Sequence, residues 1–169
     1  MDMQALLTTV EQRLKANFGE GFVSSEMSAD YPTFIVKRDI ICDVIRFLYN
    51  EEELAFQYLT TMATIHYPDH AGHEFAVMYQ LHNLRKNFRI RVKIFFSSSD
   101  PHVPSITPIF SAANWMERQE FDFFGIIFTG HPNLKRILNM DEMTYHPMRK
   151  EYPLEDGTRE DKNDKMFGR

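Results

Sequence analysis

Leu6, Leu7, Val10, Leu14 and Phe18 recur at spacings of three and four, which predicts an amphipathic helix from Met3 to Phe18 ending at Gly19. Two short β-rich runs follow, Phe22–Met27 and Pro32–Lys37, with Asp30 in the turn between them. Asp39 is placed to cap a second helix, Ile40–Tyr49, whose apolar stripe is Ile41, Val44, Ile45 and Leu48. Beyond the acidic run Glu51 to Glu53, three segments read as strands: Phe56–Tyr67, Glu74–Leu84 and Phe88–Ser97. The second alternates Phe75, Val77, Tyr79 and Leu81 against smaller or polar neighbours. The third alternates Ile90, Val92 and Ile94 against Arg89, Arg91 and Lys93, so one sheet face should be wet and cationic. The short link Arg85 to Asn87 predicts an antiparallel hairpin, and the loop Pro68 to Gly72 joins the first pair. The order α-β-β-α-β-β-β describes a two-layer α+β domain with a mixed or antiparallel sheet.

The link Ser97 to Pro108 is rich in Ser and Pro and leads to a third periodic stretch, with Ser111 as the expected N-cap and Gly125 as the expected stop. On that helix Glu117 sits near the positive end. Arg118 and Asp122 stand four apart and are expected to pair, while Phe121 and Phe124 have core-like spacing. Phe121, Phe123 and Phe124 occupy neighbouring arcs and cannot all face one core, so at least one is expected to point to another chain. Ile126 to Phe128 resembles a strand end, and Gly130, His131 and Pro132 a turn. Beyond Leu138 the periodicity is lost and acids alternate with bases. The division this suggests is an α+β domain with its last helix over residues 1–128, then an extended tail over 129–169 that docks on a partner through Tyr145, Met148, Tyr152 and Leu154.

A length of 169 residues with 43% apolar content suits one core, and a net charge of -5 offers no electrostatic footprint for nucleic acid or unaided binding to anionic lipid. No apolar run approaches the roughly 20 residues needed to span a bilayer. The N-terminal stretch mixes charges into its apolar positions, unlike a signal peptide, so a cytoplasmic location is expected. The one cysteine, Cys42, excludes an intrachain disulfide and a self-contained iron–sulfur cluster; it reads as a packing residue. Gly19 and Gly21 begin a G-x-G-x-x-G pattern that Ser24 breaks, and a P-loop is missing.

His66, His70 and His73 are the one cluster that invites a metal, with Asp69 and Glu74 as possible completing ligands. They would suit a free-standing metal-binding module or hydrolase, although no familiar ligand set is completed. His131 and His146 each precede proline and read as turn or interface residues, since no nucleophile with an orienting group accompanies them.

Glu117, Arg118, Gln119, Asp122, Phe123, Phe124, His131, Lys135, Ile137 and Leu138, with the later Tyr145–Leu154 (YHPMRKEYPL), resemble the signature of the C, or thirty-kilodalton, subunit of the proton-pumping NADH:quinone oxidoreductase, respiratory complex I. Val103, Pro104 and Ser105 match the family's approach to the helix. Gln119 replaces a Glu, and Tyr145 a Gly, which argues against a left-handed backbone at Tyr145. The resemblance implies that Trp115, Glu117, Arg118, Asp122, Gly125, His131, Arg136, His146, Arg149, Lys150 and Tyr152 are signature or interface residues. It implies a non-redox structural subunit of the peripheral arm, on the cytoplasmic side of the membrane, binding no cofactor itself. The assembly would pass electrons from NADH through FMN and iron–sulfur clusters, held by other subunits, to quinone. The implied partners are the hydrogenase-like D subunit and the B subunit that carries the terminal cluster. The equivalent subunit of a membrane-bound energy-conserving hydrogenase is the alternative within the same superfamily.

Overall fold

The computed structural model describes residues 3–153, so Leu154 and the rest of the expected tail lie outside the described residues. Helix α1 spans Met3–Phe18, matching the expectation at both ends. Strands β1 (Phe22–Ser28) and β2 (Tyr31–Val36) form a hairpin whose turn residues, Ala29 and Asp30, both have positive φ, of 46° and 67°. That left-handed pair matches the right-handed twist of the flanking strands. Helix α2 covers Ile41–Asn50, followed by β3 (Tyr58–His66), β4 (Phe75–Asn83) and β5 (Phe88–Phe96). Then come β6 (His102–Pro104), α3 (Ala113–Phe124) and β7 (Ile127–Thr129).

The main sheet has the order β1-β2-β5-β4-β3 and is mixed: β2 runs parallel to β5, with Thr33 opposite Arg91, and every other pairing is antiparallel. The helices pack on one face. One apolar cluster joins Leu6, Val10 and Leu14 of α1, Ile41, Val44 and Leu48 of α2, and Phe34, Val77, Tyr79 and Val92 of the sheet. These side chains are at most 1% exposed, and burial on that scale is the main stabilising term of the domain.

Two expected caps are corrected. Asp39 does not cap α2. A 3₁₀ turn over Arg38–Ile40 leads into the helix, and the Ile41 N–H bonds back to the Arg38 carbonyl, so the first donors find backbone acceptors without a side chain. Ser111 does not cap α3 either. Ala112 holds that position, and the turns before it bring Ala113 N–H to the Phe110 carbonyl and Asn114 N–H to the Ser111 carbonyl.

Candidate functional site

Gly125 closes α3 in the left-handed conformation, φ 76°, with its N–H on the Phe121 carbonyl. After β7 pairs in parallel with β6, residues 131–153 run back along the helix as a strap. The last four carbonyls of a helix have no partner within it. Here Gly125 takes the first, and the strap takes the other three. The Asp122 carbonyl accepts from Arg136 Nη1 and His146 Nδ1, both at 3.0 Å; the Phe123 carbonyl accepts from Met148 N–H at 3.2 Å; the Phe124 carbonyl accepts from Arg149 Nε at 2.7 Å. Two guanidinium groups thus sit at the negative end of the helix dipole. A Cβ at Gly125 would lie 2.6 Å from His146 and 2.7 Å from Arg149, so both the backbone angle and the close approach demand glycine.

Asp122 is fully buried and is the hub of this lock. Its Oδ2 accepts the N–H groups of Ile137, Leu138 and Asn139 at 3.1, 2.8 and 2.9 Å. Its Oδ1 accepts from Arg136 Nη1 at 2.7 Å and Asn139 Nδ2 at 3.0 Å. Burial by itself would raise this carboxyl, but the Asn139 and Leu138 N–H groups and Arg136 outweigh it and hold the group well below the usual carboxylate range. Arg136 also donates to the Met143 and Tyr145 carbonyls, so one guanidinium ties both arms of the strap.

The expected Arg118–Asp122 pair does not form. Asp122 is engaged by the strap, and Arg118, 8% exposed, donates to the Lys135 and Arg136 carbonyls at 3.1 and 3.0 Å while its guanidinium covers the Trp115 ring. Arg136, more than its signature neighbour Lys135, is the cation that organises the strap. Phe121, Phe123 and Phe124 are all at least half buried, with Phe121 edge-on to His146. The aromatic side chain of α3 left outside is Trp115, 63% exposed.

At the other end of α3, Glu117 is fully buried. Its oxygens accept the Ile106 N–H at 2.8 Å and the Ser105 hydroxyl at 2.7 Å. Burial pushes this carboxyl up to about 7, against the pull of those two donors. Glu120, which sequence reasoning missed, accepts the Thr64 N–H at 2.7 Å and so occupies the outer edge of β3. Its position three residues after Glu117, on the same helical face, was the available signal.

Of the three clustered histidines, His66 stands apart from His70 and His73. His66 is buried, stacks on Phe75 and accepts the Lys150 N–H through Nδ1 at 3.0 Å, which fastens the strap to β3. His70 stacks on Tyr67, and His73 meets Phe95 edge-on. Among the described residues, no three His, Cys, Asp or Glu side chains are placed to hold a metal ion. His131 bonds the Asn114 carbonyl through Nε2 and accepts the Asn133 N–H, a turn fixed to α3. The Lys150 side chain is exposed, and Tyr152 packs against Tyr145 with ring centroids 5.0 Å apart. Cys42 is half-buried with Sγ 3.3 Å from the Ser105 carbonyl, as a packing residue would be.

The residues of this arrangement fall within the stretch on which a family model matches: residues 34–158 fit the model described as the respiratory-chain NADH dehydrogenase, 30 Kd subunit. The chain belongs to that 30-kDa subunit family. It is 42% identical over 122 residues to the C subunit of the NADH-quinone oxidoreductase of Nocardioides sp., covering 72% of this chain and 49% of that relative. The chain therefore spans about half the length of such 30-kDa relatives. A trypsin-resistant fragment of Nqo5 shares the fold at a TM-score of 0.63 and 24% identity, over 79% of this chain and 100% of the fragment. A chain of an archaeal membrane-bound sulfane sulfur reductase shares it at a TM-score of 0.72 and 21% identity, over 89% and 85%. Among the described residues, no helix is long and apolar enough to cross a membrane.

Proposed function

We propose that this chain is a structural subunit of a proton-translocating NADH:quinone oxidoreductase and docks in its peripheral arm through α3 and the strap, without handling electrons itself. The observation that carries the reading is the division of labour around Asp122. Asp122, Arg118, Arg136 and Arg149 are spent on holding the strap, and several of its apolar side chains are left facing outward. Of the 11 exposed large apolar side chains among the described residues, six are Trp115 and the strap's Leu138, Met140, Tyr145, Met148 and Tyr152. Tyr and Trp presented on a rigid support are the usual anchors of a protein interface.

The partners this reading names are the hydrogenase-like D subunit, against which the strap would lie, and the B subunit with the terminal cluster. FMN and the iron–sulfur clusters belong to other chains, and the peripheral arm that holds this chain sits on the cytoplasmic side of the membrane. A tagged chain extracted gently from native membranes should bring down a large complex with flavin, iron and NADH-to-quinone activity. Recovery of the chain alone, or with stoichiometric metal, would overturn the reading. Within that experiment, Arg118→Ala should weaken assembly by releasing the Lys135–Arg136 carbonyls and unseating Trp115. Normal assembly with lost turnover would contradict the structural role.

A further inference from the structure

The helices leave the second face of the main sheet uncovered. α1 reaches the packed face through Glu11 and Ser25, and α2 and α3 contribute their buried residues to the same core. On the open face β5 places Arg89, Arg91 and Lys93 in alternate positions, with Lys93 beside Ile35 of β2 and Met78 of β4. None of the three cations enters an ion pair among the described residues, and neither does Lys37. Neutral groups hold two of them instead. Arg91 donates to Gln80 Oε1 and the Ser28 carbonyl and lies over the Tyr31 ring; Lys93 donates to the Tyr67 hydroxyl and lies over Phe95. The buried Nε of Arg89 has no partner. Of the nearby acids, Glu26 lies across from Thr33 at the far edge and pairs with none of them, and Glu74 is occupied by the Gly72 and Ser98 N–H groups.

At one end of this face is a recess of about 370 Å³, walled by Val23, Ile35 and Phe95 with Lys37, His70 and His73 at its rim. Val23 is 57% exposed there. A merely solvated cationic face would carry extended side chains with water or carboxylates around them. Here Arg91 and Lys93 are half-buried and lie over aromatic rings, and Lys93 is flanked across the strands by the apolar Ile35 and Met78. That layout is already ordered for a partner, which lowers the entropy cost of binding. The chain as a whole carries a net charge of -5, so attraction to an anionic bilayer is opposed beyond this patch.

We propose that the open sheet face is a second docking surface, filled by a carboxylate-bearing segment of a neighbouring protein subunit that seats an apolar side chain in the recess and sets its acids against Lys37, Arg91 and Lys93. The guanidinium fork of Arg91 suits a carboxylate in two-point contact. The proposal rests on the assembly reading for the existence of a neighbour, but it involves a different face from α3 and the strap.

The test uses the complex purified through a tag on this chain. A water-soluble carbodiimide joins an ammonium group only to a carboxylate in direct contact, and mass spectrometry locates the links. Links from Lys37 or Lys93 to Asp or Glu of another subunit are expected. An Arg91→Glu/Lys93→Glu chain should co-purify with the complex at least roughly tenfold less well while its own unfolding midpoint stays near that of the parent. Links confined to Glu26, no links at all, or undiminished co-purification would overturn the proposal. So would protection of these lysines from acetylation by anionic vesicles in place of subunits. A complex that forms through the strap without links from this face sinks only the second surface; a chain that co-purifies with nothing sinks both readings.

Discussion

Between α1 and the sheet the contacts are mostly apolar, whereas between α3 and the strap they are mostly hydrogen bonds to buried charges or to helix-end carbonyls. The difference concerns specificity more than strength. An apolar layer tolerates changes of shape that keep its volume, while a carboxylate with five donors accepts one geometry and punishes the loss of any partner. The layered domain supplies stability, and the strap supplies a surface of fixed shape.

The sharpest way to break this contrast is to remove one residue from each region. Asp122→Ala should cost about 3–5 kcal/mol, because it leaves Arg136 and three N–H groups without their acceptor. Phe34→Ala should cost a similar amount, about 3–5 kcal/mol, by opening a cavity. The two should differ in pattern. Hydrogen exchange in the Asp122 variant should speed first at Ile137, Leu138 and Asn139, and in the Phe34 variant across the sheet. Uniform loosening in both would erase the distinction.

Glu117 gives a test in pH. Its carboxyl stands at about 7 in the folded chain against an ordinary 4.5, so the fold binds the proton more tightly than the unfolded chain does. The stabilisation is present in full below pH 4.5 and is lost as pH rises through 7, about 3 kcal/mol in all. Urea unfolding midpoints of Glu117→Gln should vary with pH less than the parent's across that window, with Glu120, likewise raised by burial, contributing to what remains; a slope equal to that of the parent would assign the titration elsewhere. Asp122 acts in the opposite sense. Its carboxyl is depressed, so its contribution is present above the ordinary carboxylate range and fades as pH falls below about 4.

Smaller effects follow at the periphery. Gly125→Ala should cost about 1–3 kcal/mol through left-handed strain and the displacement of His146 and Arg149. Proteolysis of the strap would report it. Trp115→Ala should change stability by no more than about 0.5 kcal/mol, since the ring is largely exposed, yet reduce assembly more than any core change of equal stability cost. An unchanged yield of complex would remove Trp115 from the interface.

What was legible in the sequence divides along the same line. The leucine spacing before Gly19 located α1 at both ends, and alternation in residues 75–96 found the β4–β5 hairpin, because apolar burial leaves a period. The lock left no period. Asp122 answers to backbone N–H groups at residues 137–139, which any side chain could accompany, so spacing on the helix pointed instead to Arg118. The family resemblance marked Asp122, Gly125, Arg136, His146 and Arg149 as a set but was silent on which touched which. Glu120 and Asn139 escaped both kinds of reading, one hidden among other acids and the other in an aperiodic stretch.

The parallel pairing of β2 with β5 has a consequence for synthesis on the ribosome. Thr33 must find Arg91, so the β1–β2 hairpin emerges with one edge open and waits for roughly 60 more residues, about 3–12 s at ordinary elongation rates. During that interval Phe34 and Val36, among the most enclosed side chains of the finished sheet, have only α1 and the nascent α2 to shield them. The early helices thus act as temporary cover for a strand whose permanent neighbour has yet to be translated.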